Sequence, residues 1–273
     1  MIPAPFEYVR AGSTDEALAL IAEHGDEAKF IAGGMSLLPL MKLRLATPTV
    51  VVDVGRVREL SYVRVEGDTV AIGALTRHRD LETDAGLAES CGVLRAVAAQ
   101  VGDNQVRHRG TIGGSVAHGD PASDLPAALL ALDAAFVVLG ADGKRNIPAA
   151  QFFRGFLETA LEPDELLAEI RVPATGRNGF SYQKFNRRAQ DWAIVGALAV
   201  RANGATRVGL VNMGSTPLRA SAVEQALASG SSAADAAEQA DVGTEPSADL
   251  NASVEYRRHL ARVLVRRALE AAV

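Results

Sequence analysis

An α+β protein in two parts is what this 273-residue chain predicts. Strand-like and helix-like segments mix without the regular βαβ rhythm that a doubly wound sheet imposes. Two apolar stretches fold back on turn residues as hairpins, one at Glu66-Gly67-Asp68 and one at Ala141-Asp142-Gly143-Lys144. After "DELLAEIRVPATGRNG" the texture changes, and the Pro/Gly/Asn segment at 173–179 reads as a linker. Residues 1–175 are expected to form a first domain with an internal boundary near 55–60, and residues 176–273 a second.

Each element has its own signal. Ser13, with Glu16 three residues on, starts a helix as a capping box; apolar positions 17, 18, 20 and 21 follow, and Gly25 can end it. "AKFIAGG" is a strand running into a glycine turn, and "TPTVVVDV" (47–54) another strand. Residues 61–75 form the first hairpin, 76–101 are mostly helical, and 111–123 read as loop. "DLPAALLALDA" is a helix, and "AFVVLGADGKRNIPA" the second hairpin. Beyond the linker, "FSYQKFN", "AIVGALAVRANG" and "ATRVGLVNMG" read as strands of a small antiparallel sheet. Helices are expected at 219–229, 231–240 and 253–272, the last with Tyr256, Leu260, Val263, Leu264 and Ala268 on one face and arginines elsewhere.

Composition narrows the function classes. With 48% hydrophobic residues the chain can bury a sizeable core. The balance of 28 basic and 33 acidic residues offers no basic patch, so no nucleic-acid partner is expected. "MIPAPFEYVRAGSTDE" lacks the basic start and apolar run of a secretory signal. No stretch approaches the roughly 18–20 apolar residues of a membrane span. The expected location is the cytoplasm. The single cysteine, Cys91, forms no internal disulfide framework and cannot build a Cys-rich zinc or iron–sulfur site; its helical context marks it as a small buried residue. The five histidines form no HxxxH or HExxH pair, so no metal site is expected.

Two glycine doublets stand out: Gly33-Gly34 in "FIAGGMSLLPLMKLRLA" and Gly113-Gly114 in "TIGGSVAHGDPASD". Glycine lets a backbone amide lie against a ligand, and successive amides in such turns form an anion-binding concavity. Two of these facing each other could hold a pyrophosphate, with hydroxyls from Ser36, Thr111 and Ser115. The bland alternative is that each doublet only lets the chain turn. Neither GxGxxG nor GxxxxGK[ST] occurs, so Rossmann and P-loop readings are excluded.

"KFIAGGMSLLPLMKLRLATP" together with "QVRHRGTIGGSVAHGDPASDLPAALLALDA" resembles the FAD-binding medium subunit of molybdenum hydroxylases, the carbon monoxide dehydrogenase and xanthine dehydrogenase relatives. The likeness covers nearly the whole chain. It implies a vanillyl-alcohol-oxidase-type (PCMH-like) FAD-binding domain of two subdomains, followed by a small antiparallel-sheet-plus-helices domain. It also implies non-covalent FAD, with the first pyrophosphate loop on Ala32, Gly33, Gly34, Met35 and Ser36, flanked by Phe30, Ile31 and Leu37. The second loop falls on Thr111, Ile112, Gly113, Gly114 and Ser115, the adenosine-side acid on Asp124, and a position packed near the cofactor on Val101. Leu167 and Lys184 match flavin-side contacts, and Trp192 an aromatic that can lie against the ring. The chain departs from the family at Met35 (often His, Gln or Thr), Ser115 (usually Asn) and Asp120 (commonly small).

The same residues have plainer readings. Trp192 could be a core tryptophan at a strand start, Lys184 a solvated lysine, and Asp124 the N-cap of the helix beginning at Leu125. His118 reads as a loop histidine, and the arginines of "VRHRG" face either phosphates or another protein. By the resemblance, the molybdenum cofactor lies on a large partner subunit and [2Fe-2S] clusters on a small one, in a dimer of heterotrimers. The chain would collect electrons onto FAD and pass them to an external acceptor. The rivals are a self-sufficient flavin-dependent oxidase of the same fold, for which no general base is evident, and a scaffold that has lost the flavin.

Overall fold

The computed structural model describes residues 1–176, 178–202 and 204–272. Arg177 of the expected linker, Asn203 of "AIVGALAVRANG" and the terminal Val273 lie outside the described residues.

The chain begins with β1 (Glu7–Arg10), α1 (Thr14–His24), β2 (Ala28–Ile31), α2 (Leu37–Lys42) and β3 (Val50–Asp53). These strands form a parallel sheet in the order β1-β3-β2. Parallel strands need crossover connections, and α1 carries the chain from β1 to β2, the two edges of this sheet. It buries Ala17 and Ile21 in a core shared with Val50, Val52 and Val54. The Ser13 hydroxyl accepts from the Glu16 amide at 3.2 Å, as the capping box predicts. Glu16 reaches one residue further back than expected and accepts from the Gly12 amide at 2.6 Å.

Next come β4 (Val63–Glu66), β5 (Thr69–Gly73), α3 (His78–Thr83), α4 (Ala85–Ser90), α5 (Gly92–Ala98), α6 (Asn104–Arg109), α7 (Ile112–His118) and α8 (Asp124–Ala131). They are followed by β6 (Ala135–Gly140), β7 (Gly143–Pro148), α9 (Ala149–Phe152), β8 (Phe153–Gly155), β9 (Glu158–Thr159) and β10 (Leu166–Pro173). The larger sheet is antiparallel, in the order β4-β5-β10-β6-β7. Both hairpins turn where the sequence places them. Against the expectation of a loop at 111–123, residues 112–118 are helical. The Thr111 hydroxyl accepts from the Gly114 amide at 3.1 Å and so starts α7 as an N-cap.

The remaining elements are β11 (Phe180–Phe185), β12 (Val195–Ala202), β13 (Ala205–Val211), β14 (Leu218–Arg219), α10 (Ser221–Ala228), α11 (Ala233–Ala237) and α12 (Val254–Ala271). The sheet β11-β12-β13-β14 is antiparallel, and its inner strand β12 is buried on both faces. Alternate residues of a strand point to opposite faces. Leu198 and Val200 therefore join the core of α5 and α8, while Val195, Ala197 and Ala199 join the core under α12. Gly209 of β13 lies so close to α8 that a Cβ there would sit 2.6 Å from the Ala127 carbonyl oxygen.

The expected inner face of α12 needs correction at two positions. Tyr256 is exposed at the rim, edge-on to Phe185, and Val263 is half-buried. Arg257 turns inward instead, donating to the Ile194 carbonyl and, at 2.7 Å, to Asp249. A paired guanidinium can occupy a position that an apolar periodicity does not mark. Among the described residues no helix is long and apolar enough to cross a membrane.

Phe136 of β6 is fully buried and meets Phe152 edge-on, with ring centroids 4.5 Å apart. Replacing it with alanine should lower unfolding free energy by about 3–5 kcal/mol, read as a lower denaturation midpoint in urea.

Candidate functional site

The two glycine segments meet. A Cβ added at Gly33 would lie 2.2 Å from the Arg109 carbonyl oxygen and 2.8 Å from the Gly110 Cα. Only glycine lets the turn after β2 pack on the chain entering α7. Gly34 carries a φ of 74°, the left-handed region that glycine enters without strain. Around this turn the amides of residues 33–37 donate to no carbonyl or side chain among the described residues. A row of such free amides has the chemistry to receive an anion.

The second segment is built differently from the first. The Ile112 amide donates to the Thr76 carbonyl (3.0 Å), Gly113 to Ala74 (2.8 Å), Gly114 to the Thr111 hydroxyl, and Ser115 to the Thr111 carbonyl (3.1 Å). This doublet does not follow a strand and is not a turn of free amides. Gly113 is there for packing: a Cβ on it would lie 2.4 Å from that of Ala74. Gly114 is exposed, and the hydroxyls of Thr111 and Ser115 are the groups this segment has to offer.

Asp124 and Lys184, expected at opposite ends of a cofactor, are instead ion-paired at 2.8 Å, with side chains 6% and 4% exposed. Asp124 is the first residue of α8 and not its cap. Its second oxygen accepts from the Tyr182 hydroxyl. Burial pushes the Asp124 carboxyl above the usual carboxylate range, opposed by the Lys184 ammonium and the Tyr182 hydroxyl. Burial also pushes the Tyr182 phenol well up. Lys184 is therefore no solvated lysine; it donates as well to the Gln100 carbonyl at 2.9 Å. Sequence reasoning missed Tyr182 and Gln100. The alternation of "FSYQKF" does place 182 on the same face as 184, and that was the available signal.

Lys184 borders a cleft of about 360 Å³ between the first and last domains, lined also by Gln100, Asp103, Arg107, Asn186 and Gln190. Val101 follows Gln100, half-buried against the core. Leu167 is buried in β10 opposite Val138. Trp192 is 59% exposed, which removes the core-tryptophan reading. Arg107 is paired internally with Glu82 (3.0 Å) and with the Val101 and Gly102 carbonyls. Asp120 accepts from the Ala122 amide at 2.8 Å, tying the turn before α8. Cys91 is buried, and its thiol is pushed up to about 11.

Residues 4–175 match the model of the FAD binding domain in molybdopterin dehydrogenase, and residues 180–272 the CO dehydrogenase flavoprotein C-terminal domain. The chain belongs to this flavoprotein family. It is 42% identical to the carbon monoxide dehydrogenase medium chain of Hydrogenophaga pseudoflava, over 100% of this chain and 98% of that one. It is 38% identical to the 6-hydroxypseudooxynicotine dehydrogenase complex subunit alpha of Paenarthrobacter nicotinovorans, over 100% and 96%. Among solved structures, the Hydrogenophaga pseudoflava carbon monoxide dehydrogenase superposes with a TM-score of 0.95 at 43% identity, covering 100% and 98% of the two chains. Quinoline 2-oxidoreductase of Pseudomonas putida gives 0.92 at 32%, covering 100% and 98%. The fold expected from the resemblance is thus the fold found, and this flavoprotein is an oxidoreductase subunit.

His78 lies buried behind the second segment, its amide bonded to the Gly110 carbonyl at 3.0 Å. Burial, and then the Arg107 cation, hold its imidazole down to about 4 from 6.5. Between those values the unfolded chain binds a proton that the folded chain refuses. The stability this neutral ring contributes is therefore full above pH 6.5 and lost as pH falls toward 4. Urea titrations should show a loss of about 2 kcal/mol from this group between about pH 7 and pH 5, absent from His78→Gln.

Proposed function

We propose that this chain is the FAD-binding electron-transfer subunit of a heteromeric molybdenum hydroxylase. It receives electrons from [2Fe-2S] clusters on a small partner subunit, fed by a molybdenum cofactor on a large one, and passes them to an external acceptor. The assembly proposed is a dimer of heterotrimers in the cytoplasm. The observation that carries the reading is the turn at 33–37, whose free amides fit a pyrophosphate and whose shape Gly33, packed on the Arg109 carbonyl, and Gly34, at positive φ, make possible. One cysteine cannot hold a four-cysteine cluster, so the clusters belong on another chain.

The residues divide the work. The amides of Gly33 to Leu37 hold phosphate oxygens, with Phe30, Ile31 and Ala32 forming the strand end that fixes the turn. The hydroxyls of Thr111 and Ser115 add donors from the facing segment, and Gly114 keeps that approach open. Lys184, oriented by Asp124, presents a cation at the cleft that would receive the flavin ring; Val101, Leu167 and the exposed Trp192 are proposed as further contacts of the cofactor. Bound there, flavin accepts electrons singly or in pairs.

The purified complex should be yellow, carry FAD and contain three kinds of chain. A flavin-free preparation, or a lone homo-oligomer oxidising an organic substrate unaided, would overturn this reading. Gly114→Val tests the second segment, because a Cβ there meets only the Thr111 hydroxyl, at 2.8 Å. The variant should stay folded, at a cost of about 1 kcal/mol from the disturbed cap, and lose most of its flavin; full flavin content would remove residues 111–115 from the site. Trp192→Ala should change stability by less than about 0.5 kcal/mol, as an exposed position does. It should also brighten flavin emission by removing a stacked indole, and unchanged emission would take Trp192 off the ring.

A further inference from the structure

We infer that Tyr182 is a positioning residue for the flavin. By donating its hydroxyl to Asp124 it fixes that carboxylate against Lys184, and through Lys184 it sets the flavin's reduction potential. The inference rests on the proposed placement of the ring beside Lys184.

The network joins two domains. Asp124 opens α8, Gln100 follows α5, and Tyr182 and Lys184 stand two apart on one face of β11. A phenylalanine at 182 would serve the packing equally well, and a buried hydroxyl is tolerated only because it finds an acceptor. Gly196 pairs with Lys184 across the sheet, and a Cβ there would lie 2.9 Å from the Tyr182 oxygen and 3.0 Å from the Val211 Cβ. Glycine is disfavoured inside a strand, so the opening that admits both the hydroxyl and Val211 is maintained against a local penalty. Buried ion pairs add little net stability. A network kept on such terms is better explained by what it positions.

Lys184 has three ammonium protons. Two go to the Gln100 carbonyl and Asp124, which leaves one donor on a cation at the wall of a polar cleft. A nearby positive charge favours the electron-rich state of a ring, to the extent that Asp124 does not compensate it. Tyr182 shares the carboxylate. Without the hydroxyl, Lys184 becomes the only side-chain donor to Asp124, its charge is compensated more fully, and the ring becomes harder to reduce. Neutralising Asp124 does the reverse.

The test is spectroelectrochemical titration of the purified, FAD-loaded complex, with flavin content and thermal stability measured on each sample. Tyr182→Phe should shift the flavin midpoint to more negative potential at normal flavin content, and Asp124→Asn should shift the midpoint of the flavin it retains to more positive. Lys184→Gln should shift it negative further than Tyr182→Phe. A Tyr182→Phe variant that loses thermal stability while its potential stays put leaves Tyr182 merely structural and overturns the inference. If Lys184→Gln moves the potential and Tyr182→Phe does not, the inference alone falls. If Lys184→Gln does not move it either, the ring is not beside Lys184, and that placement falls with it. Should the phenylalanine variant fail to fold, 3-fluorotyrosine at position 182, a stronger donor, should shift the potential positive; no shift overturns the inference.

Discussion

The two-sided burial of β12 is the constraint on which the rest of this molecule depends. Its residues alternate between two cores, one under α12 and one shared with α5 and α8. A strand buried on one face would leave the last domain as an appendage. Here it is a layer of the same body, and β11 beside it is pressed against α5 and α8 in a fixed register. That register places Tyr182 and Lys184 at Asp124. The polar groups reach each other because apolar residues on either side leave the strands no freedom to slide.

The glycine contact does for the first half of the chain what β12 does for the second. Gly33 against the Arg109 carbonyl joins the parallel sheet to the helical segment entering α7. The two doublets look alike in sequence but differ in chemistry. The first leaves its amides free after β2, whereas the second has its amides bound, by Thr76 and Ala74 outside the helix and by Thr111 at its start. In the proposed site the first segment would supply amides and the second hydroxyls. That division suits a diphosphate, whose oxygens need donors from more than one direction.

Local signals were a good guide where the physics is local. The hairpins at 66–68 and 141–144 and the cap at Ser13 follow from turn and capping chemistry confined to a few residues. The parallel order of β1-β3-β2 was not legible, because pairing between strands separated by helices leaves no local trace. The helix at 112–118 was missed because glycine and serine argue for loop, while the bond from the Gly114 amide to Thr111 argues for a helix start. On α12 the apolar period places Leu260, Leu264 and Ala268 inside, and its first turn differs, where Arg257 and not Tyr256 turns inward because it draws its partners from Ile194 and Asp249, outside the helix.

By itself the sequence determined most of the elements, the glycine turn after β2, the lack of cysteines for a cluster, and the family to which the chain belongs. These are properties of residue type and spacing, and spacing survives without coordinates. Only the tertiary structure decided that Trp192 is exposed, that Lys184 is buried, that Asp124 pairs with Lys184 instead of capping α8, and that Arg107 is spent inside. Each of these turns on which charge lies opposite which across a packed interface. Burial and pairing are properties of two chain segments at once, and no single segment carries the other's position.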